Sequence, residues 1–396
     1  MTLTLLIDLD DTLLGNDMDT FIPAYLRALG KHLAPHIDTS RLTPIMLAAT
    51  QNMFQNNRPD RTLKEAFDPD FYPALGVTES QIRQPIDEFY AEVFPALSGT
   101  TQPRPEAVEV IDEAFRRGWK VAIATNPLFP LAAIQHRLDW AGLSPQKYPF
   151  AIVPSYESFH FAKPNPAYFA ELLARFGWPR GATVMVGNDA DHDVRGAQQI
   201  GIPTFWVSNG SPYPEGFPAP SASGEIVDLI PWLESIPEDQ LQPNYTSPSA
   251  IAAVMAGIPA ALASMTDQLN NATWLQHPAP NEWSLTEIAC HLRDVEIEIN
   301  LPRLKKIVNE QNPFITGIDS DTWAAERAYQ SQDGQAALQA FIEARLQTLD
   351  LLSSISAEDW QRPAQHTIFG PTRFAEIASI IAGHDRLHIR QVYAQL

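Results

Sequence analysis

The chain has 396 residues, and its composition already excludes several classes of protein. This length is too great for one ordinary hydrophobic core, so at least two domains are expected. The formal charge is −20, with 47 acidic and 27 basic residues, which disfavours binding to nucleic acid. A single cysteine excludes an internal disulfide. With no signal peptide and no apolar run of ~18 residues, the sequence predicts a cytoplasmic protein without a membrane span.

The first chemical pattern is the stretch LLIDLDDTLL, residues 5–14. An apolar run predicts a strand, and Asp8, Asp10 and Thr12 lie at its end. Strand alternation places Asp8 and Asp10 on one side, where two carboxylates repel each other unless a cation lies between them. Hard oxygen ligands indicate Mg²⁺ as that cation. An acidic turn that caps a helix is the alternative, because Asp and Thr also suit helix N-termini.

Residues from about 19 to 97 have apolar side chains at helical spacing. From about residue 105 the pattern becomes one of alternating strands and helices. Helices are predicted over 105–117, 130–141 and 168–176 with another start at 194–199, and strands at 121–124, 150–153, 184–186 and 204–207. This alternation predicts an α/β fold with a Rossmann-like parallel sheet, whose active site lies at the carboxyl ends of the strands.

Three further motifs fall at such positions. KVAIATNPLFP ends a strand with Thr125 and Asn126, and AKPNPAYF places Lys163 in a loop before a helix. VMVGNDADHDVRGA is an apolar strand followed by a loop with Asn188, Asp189 and Asp193. Together with the DxDxT stretch, these motifs in this order resemble the haloacid dehalogenase superfamily of phosphohydrolases. The resemblance implies a helical cap, inserted at about residues 16–100, that closes over the site.

The chemistry of phosphoryl transfer assigns a role to each group. The reaction needs a nucleophile, a proton donor for the leaving alcohol, and cations for the phosphate oxygens. Asp8 is predicted to attack and form an aspartyl phosphate, and Asp10 to act as general acid and then general base. Thr125 and Lys163 are the other predicted catalytic residues. Thr12 and Asn126 are predicted to bind the phosphate.

The pattern offers several candidate ligands for magnesium. Asp8, the backbone near Asp10 and the acidic loop are expected to bind the ion. Related enzymes usually have Asp directly after the Gly of this loop, where this chain has Asn188. Either Asn188 or Asp189 therefore faces the metal, and Asp193 is a further candidate. The dehalogenase branch lacks the second Asp, so Asp10 favours a phosphatase that acts on a small phosphorylated metabolite.

The second part of the chain belongs to another structural class. Residues 238–248 are polar with several prolines and are interpreted as a linker between domains at 1–237 and 249–396. Helical patterns at about 249–270, 284–309, 334–355 and 373–395 predict a separate all-α four-helix bundle.

Three histidines are the chemical feature of this bundle. His384 and His388 lie one helical turn apart on the same face, and His291 lies among apolar residues. Three imidazoles in a bundle interior would form an open site for a divalent transition metal such as Zn²⁺ or Ni²⁺. Buried histidines paired with Asp294 or Asp385 are the alternative. Cys290 points about 100° away from its neighbour His291 and is predicted to be a core thiol.

The segments NEWSLTEIACHLRD and AGHDRLHIRQV, with Trp323, Trp360 and HTIFG, resemble the DinB-like bundle signature. The resemblance implies that His291 and the pair His384 and His388 bind a divalent metal, which some members use to activate a low-molecular-weight thiol. Thiol-dependent transferase or isomerase chemistry is thus one alternative function of the chain. A bundle that only binds or forms a homodimer is another. His366, in a predicted loop, is interpreted as structural.

Overall fold

The computed structural model describes residues 2–396, which form two compact units. The first unit comprises the residues up to Asn57, Arg61–Tyr168 and Arg180–Pro243. The second comprises Arg58–Asp60, Phe169–Pro179 and Asn244–Leu396. The α/β sheet lies in the first unit and the helical bundle in the second, so each is described by itself.

A five-stranded parallel sheet in the order β4-β1-β5-β6-β7 forms the core of the first unit. The strands are β1 (Leu3–Ile7), β2 (Leu14–Gly15), β3 (Gln102–Pro103), β4 (Lys120–Ile123), β5 (Ala182–Gly187), β6 (Thr204–Val207) and β7 (Ala222–Gly224). Strands β2 and β3 form a separate antiparallel pair. Every residue of β1 is buried, as expected for a central strand covered on both faces. The predicted Rossmann-like sheet is confirmed.

Within the described residues, nine α-helices precede the bundle. They are α1 (Met18–Leu33), α2 (Leu42–Gln55), α3 (Leu63–Ala74), α4 (Glu79–Glu88), α5 (Pro105–Arg116), α6 (Leu131–Trp140), α7 (Pro166–Arg175), α8 (Gly196–Gln199) and α9 (Leu229–Ser235). The first four, with short π- and 3₁₀-helical segments through Thr100, form the inserted cap. A π-helical segment, Ala190–Arg195, leads into α8.

The predicted strand at 150–153 is not a strand in the structure, where these residues form an irregular segment. The Ala151 N–H donates to the Val121 carbonyl at 2.8 Å, and the Ile123 N–H donates to the Ile152 carbonyl at 3.1 Å. Prolines at 149 and 154 bracket the segment. Because proline has no N–H to donate, it interrupts a strand ladder at both ends of the segment.

The second unit contains the predicted four long helices. The bundle segment has the helices α10 (Pro248–Thr266), α11 (Asn271–Leu275), α12 (Leu285–Val295), α13 (Leu301–Asn309), α14 (Trp323–Glu326), α15 (Gly334–Ser354) and α16 (Phe374–Tyr393). A π-helical segment, Glu296–Asn300, joins α12 to α13, so these two correspond to the single predicted helix 284–309. The helical bundle is confirmed.

The bundle also contains a small sheet that the sequence did not predict. Its strands are β8 (Phe314–Ile315), β9 (Pro363–His366) and β10 (Gly370–Arg373), in the order β10-β9-β8. Strands of two to four residues are too short to show a period of two.

Helix α10 is unusually apolar. Its 18-residue window has a mean hydropathy of 1.6, so by length and composition alone it passes as a membrane span. However, 72% of that window is buried inside the protein, as is common for a core helix.

Candidate active site and metal centre

Asp8 follows β1 directly, and its carboxylate is buried. One carboxylate oxygen accepts a hydrogen bond from Lys163 Nζ at 2.7 Å, and the other accepts one from Thr12 Oγ1 at 3.2 Å. The chain reverses between Asp8 and Thr12, where Asp11 adopts a φ of 52°, a conformation that Asp tolerates better than most residues. This turn places the Thr12 hydroxyl beside Asp8, where it orients the carboxylate.

Lys163 lies between two buried carboxylates, because its Nζ is also 2.6 Å from Asp193 Oδ1. Burial lowers the pKa of Lys163, but the negative charges of Asp193 and Asp8 outweigh burial and hold that pKa well above its usual value. Burial raises the pKa of Asp193, to about 7, although Lys163 opposes the rise. The second oxygen of Asp193 accepts the Asp189 N–H at 3.0 Å. Lys163 is therefore a fixed cation beside Asp8.

The acidic loop presents Asn188 and Asp189 to different partners. Asn188 Oδ1 lies 3.2 Å from Thr12 Oγ1, which places the amide close to Asp8. Asp189 caps the π-helical segment instead, accepting the N–H groups of Asp191 and His192 at 2.8 Å each. Burial raises the pKa of Asp189, but hydrogen bonds from His192 and Asp191 lower it well below its usual value. Of the two sequence alternatives, Asn188 therefore has its side chain next to Thr12 and Asp8, and the side chain of Asp189 is engaged in the cap.

Asp10 has two partners that the sequence did not predict. Its carboxylate accepts from Asn16 Nδ2 at 2.7 Å and forms an ion pair with Arg137. Arg137 is buried on α6, and burial lowers its pKa to about 10. An arginine inside an otherwise apolar helix face was the available signal, since a charged side chain is seldom buried unless it is paired.

A cleft of about 450 Å³ at the carboxyl ends of β1, β4 and β5 brings the predicted groups together. The side chain of Asn126 is held in the cleft by Lys163, because the backbone N–H of Lys163 donates to Asn126 Oδ1 at 3.1 Å. Thr12 is not among the lining residues and is fully buried beside Asp8. The predicted residues that line the cleft are Asp8, Asp10, Thr125, Asn126, Lys163, Asn188, Asp189 and Asp193.

The three histidines of the bundle face one another. His384 Nε2 lies 3.1 Å from His291 Nε2 and 3.0 Å from His388 Nε2. Their candidate ligand atoms all lie within 4.8 Å of one another. Trp283 covers the cluster, with its ring 4.7 Å from that of His291 and stacked on His388. Three converging imidazole nitrogens fit the three protein ligands of an open tetrahedral site.

The carboxylates considered as alternative partners of these histidines are engaged elsewhere. Asp385 forms an ion pair with Arg345 on α15, and both side chains are fully buried. Asp294 accepts from the Tyr329 hydroxyl at 2.8 Å and from Arg327 Nη1 at 2.8 Å. Buried histidines paired with Asp294 or Asp385 therefore do not describe this cluster.

The histidines are held in their neutral form. Burial lowers the pKa of His291 to about 3, and the pKa values of His384 and His388 to about 4. His388 Nδ1 lies 2.7 Å from Gln391 Oε1, which can only accept, so the proton is assigned to Nδ1 and the Nε2 lone pair faces the cluster. Neutral imidazole is the form that binds a metal.

Two other residues of the bundle lie outside the cluster. The Cys290 thiol is buried and donates to Gln332 Oε1 at 3.6 Å, in agreement with its interpretation as a core thiol. Burial raises its pKa to about 11. His366 ends β9, and its Nδ1 accepts the backbone N–H groups of Ile368 and Phe369. These bonds hold the turn before β10, so the geometry of His366 is that of a structural residue.

Comparison with known families agrees with both predicted resemblances. Residues 2–201 match the family model of haloacid dehalogenase-like hydrolases, and the chain belongs to this family. Residues 257–392 match the model of the DinB superfamily.

Similar curated proteins are phosphatases and a nucleotidase. Phosphoserine phosphatase of Thermus thermophilus is 35% identical over 106 residues, 27% of this chain and 41% of that protein. Pyrimidine 5'-nucleotidase YjjG of Escherichia coli is 32% identical over 114 residues, 28% and 48% of the two chains. Phosphoglycolate phosphatase of Agrobacterium fabrum is 26% identical over 132 residues, 33% and 54%. The chain spans about half the length of the curated relatives it matches.

Solved structures with a similar fold include a haloacid dehalogenase-type phosphatase from Thermococcus onnurineus and YfiT from Bacillus subtilis. The first is 18% identical with a TM-score of 0.39, over 59% of this chain and 98% of that one. The second, described as a probable metal-dependent hydrolase, is 18% identical with a TM-score of 0.34, over 40% and 87%. These scores are too low to bear on function.

Proposed function

We propose that the N-terminal domain is a magnesium-dependent phosphatase that hydrolyses a small phosphomonoester through an aspartyl phosphate on Asp8. The observation that supports this best is the setting of Asp8. Its buried carboxylate lies between the Lys163 ammonium and the Thr12 hydroxyl, in one cleft with the carboxylate of Asp10. The phosphatase names of the sequence relatives support the same class of reaction.

In this proposal Asp8 attacks the phosphorus atom, and the bond to the leaving alcohol oxygen breaks. Asp10 protonates that oxygen and then takes a proton from the water that cleaves the aspartyl phosphate. Arg137 and Asn16 hold Asp10 in place. Lys163, Thr125 and Asn126 bind the phosphate oxygens, so charge that develops there meets fixed donors. Thr12 and Asp193 act indirectly, by orienting Asp8 and Lys163.

The oxygen donors beside Asp8 fit magnesium. Asp8, the Asn188 amide oxygen and the backbone near Asp10 would hold the ion, and Asp193 pairs with Lys163 instead. Bound magnesium supplies positive charge that neutralises the phosphate oxygens.

Removal of magnesium is expected to abolish turnover. Full-length protein should release phosphate from p-nitrophenyl phosphate in magnesium, lose at least ~99% of this activity in EDTA, and recover it when magnesium is restored. Phosphate release is the measurement. Equal activity in EDTA and in magnesium would contradict the assignment of the metal.

A second prediction separates the two candidate loop ligands. Asn188→Asp replaces a neutral oxygen donor with a charged one, so the magnesium concentration for half-maximal activity should fall roughly tenfold, which corresponds to ~1.4 kcal/mol. Asp189→Asn is the matched control, because Asp189 caps the π-helical segment. Its magnesium dependence should stay unchanged. The opposite pattern would show that Asp189 is the ligand.

We further propose that the bundle binds a divalent transition metal, Zn²⁺ or Ni²⁺, through His291, His384 and His388. The convergence of their three Nε2 atoms supports this second function. The ion would act there as a Lewis acid on a ligand in the open fourth position.

Zinc binding at pH 6 is expected to release almost no protons from these histidines. Their lowered pKa values, about 3 to 4, leave all three neutral at that pH. Ordinary histidines would be mostly protonated and would release about two protons per ion. Calorimetric titration of metal-free protein in buffers of different ionisation enthalpy measures the count.

The matched control for this titration is His388→Ala, which should lose the zinc-binding heat and keep phosphatase activity. Release of two protons would show that the cluster is open to solvent and protonated. The thiol-dependent transferase or isomerase stays an alternative function of this centre. Its test is consumption of a low-molecular-weight thiol by metal-loaded protein but not by His388→Ala. We also expect the protein to be cytoplasmic.

A further inference from the structure

An apolar cavity of about 290 Å³ lies among the cap helices. Helices α1 and α2 supply much of its wall with side chains at three- and four-residue spacing, so each helix turns one face to the cavity. These side chains include Ile22, Leu26 and Leu29 of α1 and Met46, Thr50 and Met53 of α2. The wall of the cavity is thus formed by the regular secondary structure of the cap.

Of the described residues, none that lines this cavity carries a charge. Its polar side chains are Thr50 and several tyrosines, and the hydroxyls of Tyr25 and Tyr90 bond to each other at 2.8 Å. Burial raises the pKa of Tyr25 to about 12, so its hydroxyl stays neutral. A charged ligand group would lose its water in this cavity and find no ionic partner, which is strongly unfavourable.

The cavity adjoins the cleft that contains Asp8. Met18, Phe54, Leu128 and Phe129 line both spaces. Leu128 and Phe129 follow the motif residues Thr125 and Asn126 by two to four positions in the chain. The apolar cavity therefore lies next to the position that a ligand at Asp8 would occupy.

We infer that the substrate is a phosphomonoester whose alcohol carries a large apolar group, and that this group occupies the cap cavity while the phosphate lies at Asp8. This inference rests on the proposed phosphatase function and names its substrate class. An apolar cavity of ~150 Å³ is large enough to hold benzene, so the cap cavity admits an alkyl chain or a fused aromatic system. Phosphoserine and phosphoglycolate, by contrast, carry ionic groups close to the phosphate.

The test is a series of n-alkyl phosphates from two to ten carbons, assayed with full-length protein in magnesium. Each buried methylene is expected to raise kcat/KM about fourfold until the cavity is filled. Phosphoserine, phosphoglycolate and uridine monophosphate are the polar comparators. Octyl phosphate should exceed each of them by at least ~100-fold, since several buried methylenes multiply this factor.

Two substitutions on α2 test whether the dependence of kcat/KM on chain length arises in the cap cavity. Thr50→Trp fills part of the cavity and should lower kcat/KM for octyl phosphate at least tenfold, while ethyl phosphate is turned over as before. Thr43→Trp is the matched control, because Thr43 is exposed on the same helix and does not line the cavity. It should leave both substrates unchanged.

Binding of n-alkylphosphonates, which lack the scissile ester bond, distinguishes failure of the inference from failure of the proposed function. If esters are hydrolysed but neither kcat/KM nor phosphonate affinity depends on chain length, the cavity is not the substrate site and the phosphatase assignment stands. If nothing is hydrolysed but affinity still rises with chain length and falls in Thr50→Trp, the cavity is confirmed as a binding site and the phosphatase assignment is wrong. Absence of both effects would overturn both.

Discussion

Asp8→Asn is expected to lower kcat for p-nitrophenyl phosphate by ~10⁴-fold or more, because the carboxamide that replaces the carboxylate is a poor nucleophile. The substitution preserves the shape of the side chain and leaves an oxygen that can accept from Thr12 or Lys163. A fall in kcat therefore reports the lost nucleophile and not a collapsed site. Single-turnover kinetics measures it, and acid-quenched wild-type protein should carry phosphate on the peptide that contains Asp8.

The control variant is Asp19→Asn, which removes the same charge from the same cleft. Asp19 lines the cleft but is exposed in the first turn of α1, and its carboxylate does not contact the Asp8 site in the described structure. Its activity should remain within about twofold of wild type, since an exposed charge is screened by solvent and contributes little. Comparable loss in both variants would mean that only the charge of the cleft matters, and the aspartyl phosphate proposal would be wrong.

The α/β core and the residues of its cleft could be predicted from the sequence because the polar site residues follow directly after recognisable buried strands. Buried apolar runs mark β1, β4 and β5, and parallel strands bring the residues after them to one edge of the sheet. Asp8, Thr125 and Asn188 come together for this reason. The prediction of a strand at 150–153 was wrong because it rested on apolar residues alone. It did not take into account that the flanking prolines interrupt hydrogen bonding to a neighbouring strand.

Other features depend on packing that no local pattern records. Whether Asn188 or Asp189 turns toward Asp8 depends on the π-helical segment that Asp189 caps. Arg137 reaches Asp10 only because α6 packs beside β2, the short strand that follows Asp10 in the chain. The cap cavity arises where several helix faces meet, so its size could not be predicted from any one of them.

In the bundle, too, local spacing predicted some features and others depended on packing. The HxxxH spacing on α16 placed His384 and His388 on one face, which the structure bears out. What the spacing could not decide was whether these imidazoles meet a carboxylate or each other. The fully buried ion pair between Arg345 and Asp385 decides it, because it engages the nearest acidic side chain on α16.

Lys163→Met is expected to destabilise the N-terminal domain by ~3–5 kcal/mol and to lower kcat by at least ~10³-fold. Methionine is unbranched and only one atom shorter than lysine, but it leaves the carboxylates of Asp8 and Asp193 buried together without their shared cation. The loss should grow as the pH rises. Without Lys163 the pKa of Asp193, already raised, rises further, so the native state holds a proton that the unfolded state has released. Stability of the variant therefore falls between pH 5 and 8, as urea unfolding would measure.

The double variant Lys163→Met with Asp193→Asn separates the structural part of this loss from the catalytic part. Removal of one of the two unpaired carboxylates should restore roughly half of the lost free energy of unfolding and flatten its pH dependence, because one fewer buried charge lacks a partner. Activity should not return, since no ammonium is left to neutralise the phosphate oxygens. If the double variant regained activity together with stability, Lys163 would be a structural counter-ion whose charge the reaction does not use.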